Sequence, residues 1–204
     1  MAKLYFRYGT MGSSKTANAL MVHFNYKQNK IPVALFKPAS AIRDGILVRS
    51  RIGLEEVSIP VLADTDFTEI DVQRYKVLIV DECQFLSEKQ VNQLRKIVDN
   101  LEIDVFCYGL RTDFRTKLFE GSKRLFEIAD SIEEIKMVCE CGKKALYNAR
   151  LDENGNVMLS GEQVDTRSYT YKAMCSDCFA KAVEKSKKEE EFTITREIQE
   201  ECFA

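Results

Sequence analysis

The sequence predicts an α/β fold in which a parallel sheet is covered by helices on both faces, followed by a small β-rich lobe. Three observations predict it. Short β-rich runs alternate with helical patterns over the first two thirds of the chain, the signature of parallel strands joined by helical crossovers. The runs are apolar on consecutive residues, as expected of strands covered on both sides. After Met137 the pattern changes to paired cysteines and the turn signal "ENGN". The expected divisions are therefore an α/β domain over 1–137, a small lobe over 138–180 and a charged helix and tail over 181–204.

The elements follow in order. "LYFRY" predicts a strand over Leu4 to Tyr8, and "GTMGSSKT" behind it a turn that opens a helix from Lys15 to about Asn29. Further strands are expected over Val33 to Phe36, Val77 to Val80, Val105 to Tyr108 and Ile132 to Met137. "SEKQ" at Ser87 is a capping box, the serine accepting from an orphan amide while Gln90 reaches back. Val91, Leu94, Val98 and Leu101 then mark one helical face. In the lobe, two alternating runs flank "ENGN" as a hairpin. The mixed-sign segment "AKAVEKSKKEEEFTITREIQEE" predicts a solvated helix and a loosely held tail.

Composition bounds the function. The 204 residues are 45% hydrophobic and 30% charged, enough for one substantial core and a small appendage. A formal charge of −2 and a pI near 5.7 give a field that does not recruit a polyanion, so nucleic acid is not an expected partner. No apolar run approaches the roughly 20 residues that span a bilayer, and no leader pattern opens the chain. The expectation is a cytoplasmic protein without a membrane partner.

In "GTMGSSKT", a turn at the end of a strand aims successive amides at phosphate oxygens while the helix behind it adds its dipole. Gly9 opens the loop, which runs through Thr10, Met11, Gly12, Ser13 and Ser14. Lys15 would reach the outer phosphates, and the Thr16 hydroxyl would hold Mg²⁺. Ser14 stands where such a loop carries its second glycine; a left-handed backbone there costs roughly 1 to 2 kcal/mol. The other reading is a Gly/Ser-rich turn before a helix. "KVLIVDECQF" is an apolar strand ending in two carboxylates where the carboxyl edge of the sheet should meet that loop. Asp81 is then available to the magnesium, and Glu82 projects toward whatever accepts the phosphate; alternatively Glu82 caps the following helix. A sheet with these two motifs is P-loop NTPase-like.

The chain holds seven cysteines. Cys83 and Cys107 fall in or beside core strands, where a thiol acts as a small hydrophobe, and Cys202 lies in the polar tail. Cys139 and Cys141 in "CEC", with Cys175 and Cys178 in "CSDC", form two close pairs. Two short turns each delivering two thiolates are how a lobe too small for its own core is stapled by structural Zn²⁺. The first pair is one residue closer than the usual spacing, and free thiols or a labile disulfide are the other reading. The single histidine, His23, lies in the first helix as a surface or packing residue.

Together, "GTMGSSKT", "VLIVDECQF", "CYGLRTDFR" and "YKAMCSDC", in this order from about residue 4 to residue 180, resemble the thymidine kinases of the cellular and bacterial type, with a P-loop core and a zinc-bearing lasso lobe. The resemblance implies transfer of the γ-phosphate of ATP to the 5′-hydroxyl of thymidine or deoxyuridine, in a homotetramer inhibited by thymidine triphosphate. It implies Glu82 as the general base, and Met11, Phe85, Leu110, Phe114 and Phe119 as walls of the nucleoside pocket. Tyr171, four residues before Cys175, matches the lasso tyrosine placed against the base. Arg43 is retained. The chain departs from the family at Ser14, at Ala41, where many relatives are acidic, at Arg111, likewise acidic in many relatives, and in lacking a glycine pair before the lasso tyrosine.

Two other classes are weighed against the kinase. A nucleic-acid-dependent P-loop ATPase with a zinc ribbon would share the "DECQ" strand end, but requires a basic groove and stacking aromatics, whereas Lys and Arg are balanced by Asp and Glu here. A catalytically impaired nucleotide-binding relative would keep the fold and lose activity through Ser14 and the altered lasso.

Overall fold

The computed structural model describes residues 1–41, 45–164 and 169–202. Within them the chain forms two compact units, Met1–Thr112 with Leu118–Lys136, and Asp113–Lys117 with Met137–Ala204.

The first unit opens with strand β1 (Leu4–Tyr8) and helix α1 (Lys15–Gln28), then β2 (Val33–Pro38). A small antiparallel hairpin follows, β3 (Leu47–Arg49) and β4 (Glu55–Val57), and then β5 (Ile59–Val61) and β6 (Val77–Val80). Helix α2 (Glu88–Leu101), β7 (Asp104–Gly109), α3 (Glu120–Ile128) and β8 (Ser131–Glu134) complete it. The main sheet has six strands in the order β5-β2-β6-β7-β1-β8, and every pairing in it is parallel.

Alternation along the strands builds two cores. Leu4, Phe6, Ala34, Phe36, Leu78, Val80, Val105 and Cys107 pack with Val91, Leu94, Ile97 and Val98 of α2 and Leu125 of α3. Leu35, Val77, Ile79, Phe106 and Tyr108 face the other way, onto Ala19 and Leu20 of α1. The sheet is therefore covered on both faces, as its consecutive apolar residues require.

Two sequence expectations change in this unit. The last strand ends at Glu134 rather than Met137 and is not covered on both faces; Ile132 is exposed, because β8 is the sheet edge, where charge protects against further pairing. On α2 the capping box is present as expected, but Leu101 is 38% exposed and Ile97 takes its place in the core. Leu101 closes the helix, where the face has already passed the sheet. The β3–β4 hairpin, β5 and α3 are additional to the elements expected from the sequence.

The second unit contains β9 (Tyr147–Leu151) paired antiparallel with β10 (Thr170–Met174), then α4 (Ser176–Cys202). The "ENGN" turn forms, but the run after it makes one bridge, Leu151 to Val157, so the principal partner of β9 is β10. Asp152 explains the diversion. Its carboxylate accepts from the amides of Asn154 and Asn156 at 2.9 and 2.7 Å, and the Val157 amide then turns to the Ser186 hydroxyl at 2.8 Å. The tail segment continues in α4 as helix, supported by the i,i+4 pairs Lys185–Glu189 and Lys188–Glu184.

Candidate active site

The turn between β1 and α1 is held by close backbone approach. Gly9 N–H donates to the Gly109 carbonyl at 3.2 Å, and a Cβ on Gly9 would collide with the Ile135 carbonyl and Ser13 Oγ. Gly12 has φ 81°, a conformation that favours glycine. Ser14 has φ 62° and ψ 25°, so the position that would carry a glycine does use left-handed backbone. Its side chain caps no amide of α1, leaving the first turn of the helix as an anion-binding end. Thr10 Oγ1 and Ser13 Oγ are buried with no hydrogen-bond partner, which leaves two hydroxyls for an oxygen-rich ligand.

Lys15 is only 7% exposed, and its ammonium donates to the Thr10 carbonyl at 2.8 Å. Burial pulls it below the ordinary lysine value, opposed by the nearby carboxylates of Glu82 and Asp81. Asp81 sits at the end of β6, 2% exposed, its amide donating to the Phe36 carbonyl at 3.0 Å. Burial and then the Glu82 charge raise its carboxyl well above the ordinary aspartate value, while the Thr16 hydroxyl and Lys15 oppose the rise. A buried carboxylate beside a hydroxyl is an oxygen donor set of the kind that suits Mg²⁺.

Met11, Gly12, Ser14, Lys15, Thr16, Glu82 and Leu110 line one pocket of about 240 Å³. Glu82 has φ 55°; it precedes a short 3₁₀ turn without capping it through its side chain. A further part of the lining has no counterpart in the sequence motifs. Arg49, Ser50, Arg51 and Ile52, from the β3–β4 hairpin, complete the pocket, and the two arginines of "VRSRIG" were the available signal. Gln84 also went unread although it stands in "DECQF": it is 2% exposed and hydrogen-bonded to Glu82.

The remaining candidates are described by their own contacts. Phe85 and Phe119 form an edge-to-face pair with centroids 5.7 Å apart. Phe114 and Tyr171 belong to the second unit, where both surround Arg150, which is 1% exposed. The Arg150 guanidinium lies 3.7 Å from the Phe114 ring centroid, donates to the Tyr171 hydroxyl at 2.8 Å and holds the Glu162 and Gln163 carbonyls at 3.0 and 3.3 Å. Arg43 lies outside the described residues. His23 is buried, its Nδ1 3.7 Å from Glu56 Oε2.

The four paired cysteines converge. Cys139, Cys141, Cys175 and Cys178 place their Sγ atoms within 4.8 Å of one another, against an edge of about 3.8 Å for a tetrahedron of thiolates at zinc–sulfur distance. Backbone amides of Cys141 and Cys175 donate to Cys139 Sγ and draw that thiol down to about 6. Amide donors that stabilise thiolate sulfur fit a zinc knuckle, and the cluster is compatible with a structural zinc. Cys83 and Cys107 are buried in the first unit.

A family model described as "Thymidine kinase" matches residues 2–179. The chain is 42% identical over 184 residues to a thymidine kinase of Shouchella clausii, covering 87% of this chain and 96% of that one. It is 45% identical over 170 residues to a thymidine kinase of Vibrio vulnificus, covering 80% and 88% respectively. A thymidine kinase of Enterobacteria phage T4 is 42% identical over 181 residues, with 86% and 94% covered. Such identity across nearly whole chains in bacteria and phage disfavours the nucleic-acid-dependent ATPase reading, and this chain belongs to the thymidine kinase family.

Proposed function

We propose that the protein is an ATP-dependent thymidine kinase that transfers the γ-phosphate of ATP to the 5′-hydroxyl of thymidine or deoxyuridine. The observation that carries this reading is one pocket lined by Lys15, Thr16 and Glu82, with Asp81 behind it hydrogen-bonded to Thr16. Residues 9–16 hold the triphosphate through loop amides, the end of α1 and the Lys15 ammonium. Thr16 and Asp81 would hold Mg²⁺, which when bound neutralises charge on the phosphate oxygens. Glu82 takes the 5′-hydroxyl proton as that oxygen bonds to the γ-phosphorus. The bond from the γ-phosphorus to the β,γ-bridging oxygen breaks, and ADP leaves. Because phosphoryl transfer asks little covalent work of the protein, orientation by these groups supplies most of the rate.

Met11, Phe85, Leu110, Phe114, Phe119 and Tyr171 are proposed as nucleoside-binding residues, on the family resemblance, and residues 138–180 as the lasso lobe. Structural zinc on the four cysteines orders that lobe. The reading extends to a cytoplasmic homotetramer inhibited by thymidine triphosphate. No described helix is long and apolar enough to cross a membrane.

The test incubates purified protein with labelled ATP, Mg²⁺ and a panel of nucleosides, with single-stranded DNA in parallel. Wild type forms thymidine monophosphate, and Glu82→Gln lowers kcat by about 10² to 10⁴. No nucleoside product with ATP still bound, or ATP hydrolysis stimulated only by DNA, overturns the reading.

A further inference from the structure

Gln84 occupies a position that only a carboxamide satisfies on both sides. Its Nε2 donates to Glu82 Oε2 at 2.5 Å, and its Oε1 accepts the Leu110 amide proton at 3.0 Å. The two partners fix the orientation of the amide, because a backbone N–H needs an acceptor and a carboxylate needs a donor. Gln84 is 2% exposed, so the amide itself is shielded from bulk solvent.

The far ends of this bridge are themselves held. Leu110 lines the same pocket as Glu82, and its carbonyl accepts from the buried Ser122 hydroxyl at 2.5 Å. The neighbouring Gly109 carbonyl accepts from Gly9, the first residue of the phosphate loop. A Cβ on Gly109 would lie 2.7 Å from Gln84 Oε1 and from Cys83 Sγ, so the end of β7 is shaped to let the amide through. Glu82, by contrast, sits on left-handed backbone with no cap made by its side chain, and Gln84 donates to its carboxylate. A general base loses rate steeply with small displacements; about 1 Å of misplacement costs on the order of 10²-fold.

We propose that Gln84 is the positioning residue for the general base: it fixes Glu82 Oε2 against the frame set by Leu110 and Ser122, and thereby aims Oε1 at the 5′-hydroxyl. The assignment rests on the kinase reading above. Gln84 itself exchanges no proton; the proton passes from the nucleoside hydroxyl to Glu82.

The test measures steady-state formation of thymidine monophosphate by the enzyme. Gln84→Met removes both arms of the bridge, while Gln84→Glu keeps the acceptor for Leu110 and replaces the donor with a second carboxylate. Both lower kcat by about 10- to 100-fold, leaving KM for thymidine and the affinity for ATP close to wild type, while the melting temperature of Gln84→Glu falls, because a second carboxylate is buried against Glu82 without a counter-charge. In a Glu82→Ala background, Gln84→Met causes no additional loss, since the group it aims is gone. A kcat within threefold of wild type in both variants overturns the assignment, as does a Gln84→Met loss that recurs in full without Glu82, which marks a structural role. A wild type that phosphorylates no pyrimidine nucleoside overturns the kinase reading and this assignment together; an active wild type with indifferent Gln84 variants overturns this assignment alone.

Discussion

The ammonium of Lys15 donates to the carbonyl of Thr10 at 2.8 Å, so the charge that would meet a triphosphate closes the loop that carries it. Nearly the whole side chain is buried, and burial depresses its proton affinity despite the adjacent Glu82 and Asp81. A buried ammonium is a cost to the fold that serves the ligand.

Lys15→Met is therefore expected to move stability and activity in opposite directions. Without nucleotide its melting temperature equals or exceeds that of wild type, because a desolvated charge is replaced by a thioether of similar length. Thymidine phosphorylation falls by about 10² to 10³, the usual cost of removing one preorganised electrostatic donor. Thermal melts and initial rates check both; a variant that unfolds earlier and keeps its activity contradicts the account.

Ser14, at φ 62°, carries a side chain in a region that disfavours one. Ser14→Gly relieves that strain, partly offset by the larger entropy of the unfolded glycine, and should stabilise the protein by up to about 1 kcal/mol. Ser14→Val should destabilise it, since a β-branched side chain fits left-handed backbone less well. Urea midpoints decide the matter, and a glycine variant weaker than wild type removes the strain argument.

The sulfur cluster predicts a metal stoichiometry. Gently purified protein should contain about one zinc per chain, and Cys175→Ser should lose most of it. Amide exchange should accelerate after metal loss in residues 137–151 and 169–178, while the strands of the first unit stay protected, because the cysteines belong to the second unit alone. Wild-type protein free of zinc, with the lobe equally protected, counts against four-thiolate ligation.

What the sequence determined by itself is local. Consecutive apolar residues placed β1, β2, β6 and β7, because covered strands need them; the Ser87–Gln90 spacing placed the start of α2, because a capping box closes over three residues. The glycine-bearing turn before α1, the paired carboxylates and the close cysteine pairs were legible for the same reason, each being a pattern carried by neighbours in the chain. Tertiary structure decided what depends on distant segments. Arg49 to Ile52 share a pocket with Lys15 only because β3 packs against α1, and Gln84 reads as an ordinary glutamine until β7 delivers the Leu110 amide to it. Arg150 likewise looks like a surface cation until Tyr171, paired opposite it in β10, and Phe114 enclose it. Burial and hydrogen-bond partners across tens of residues are set by strand pairing and packing, which no window of the sequence contains.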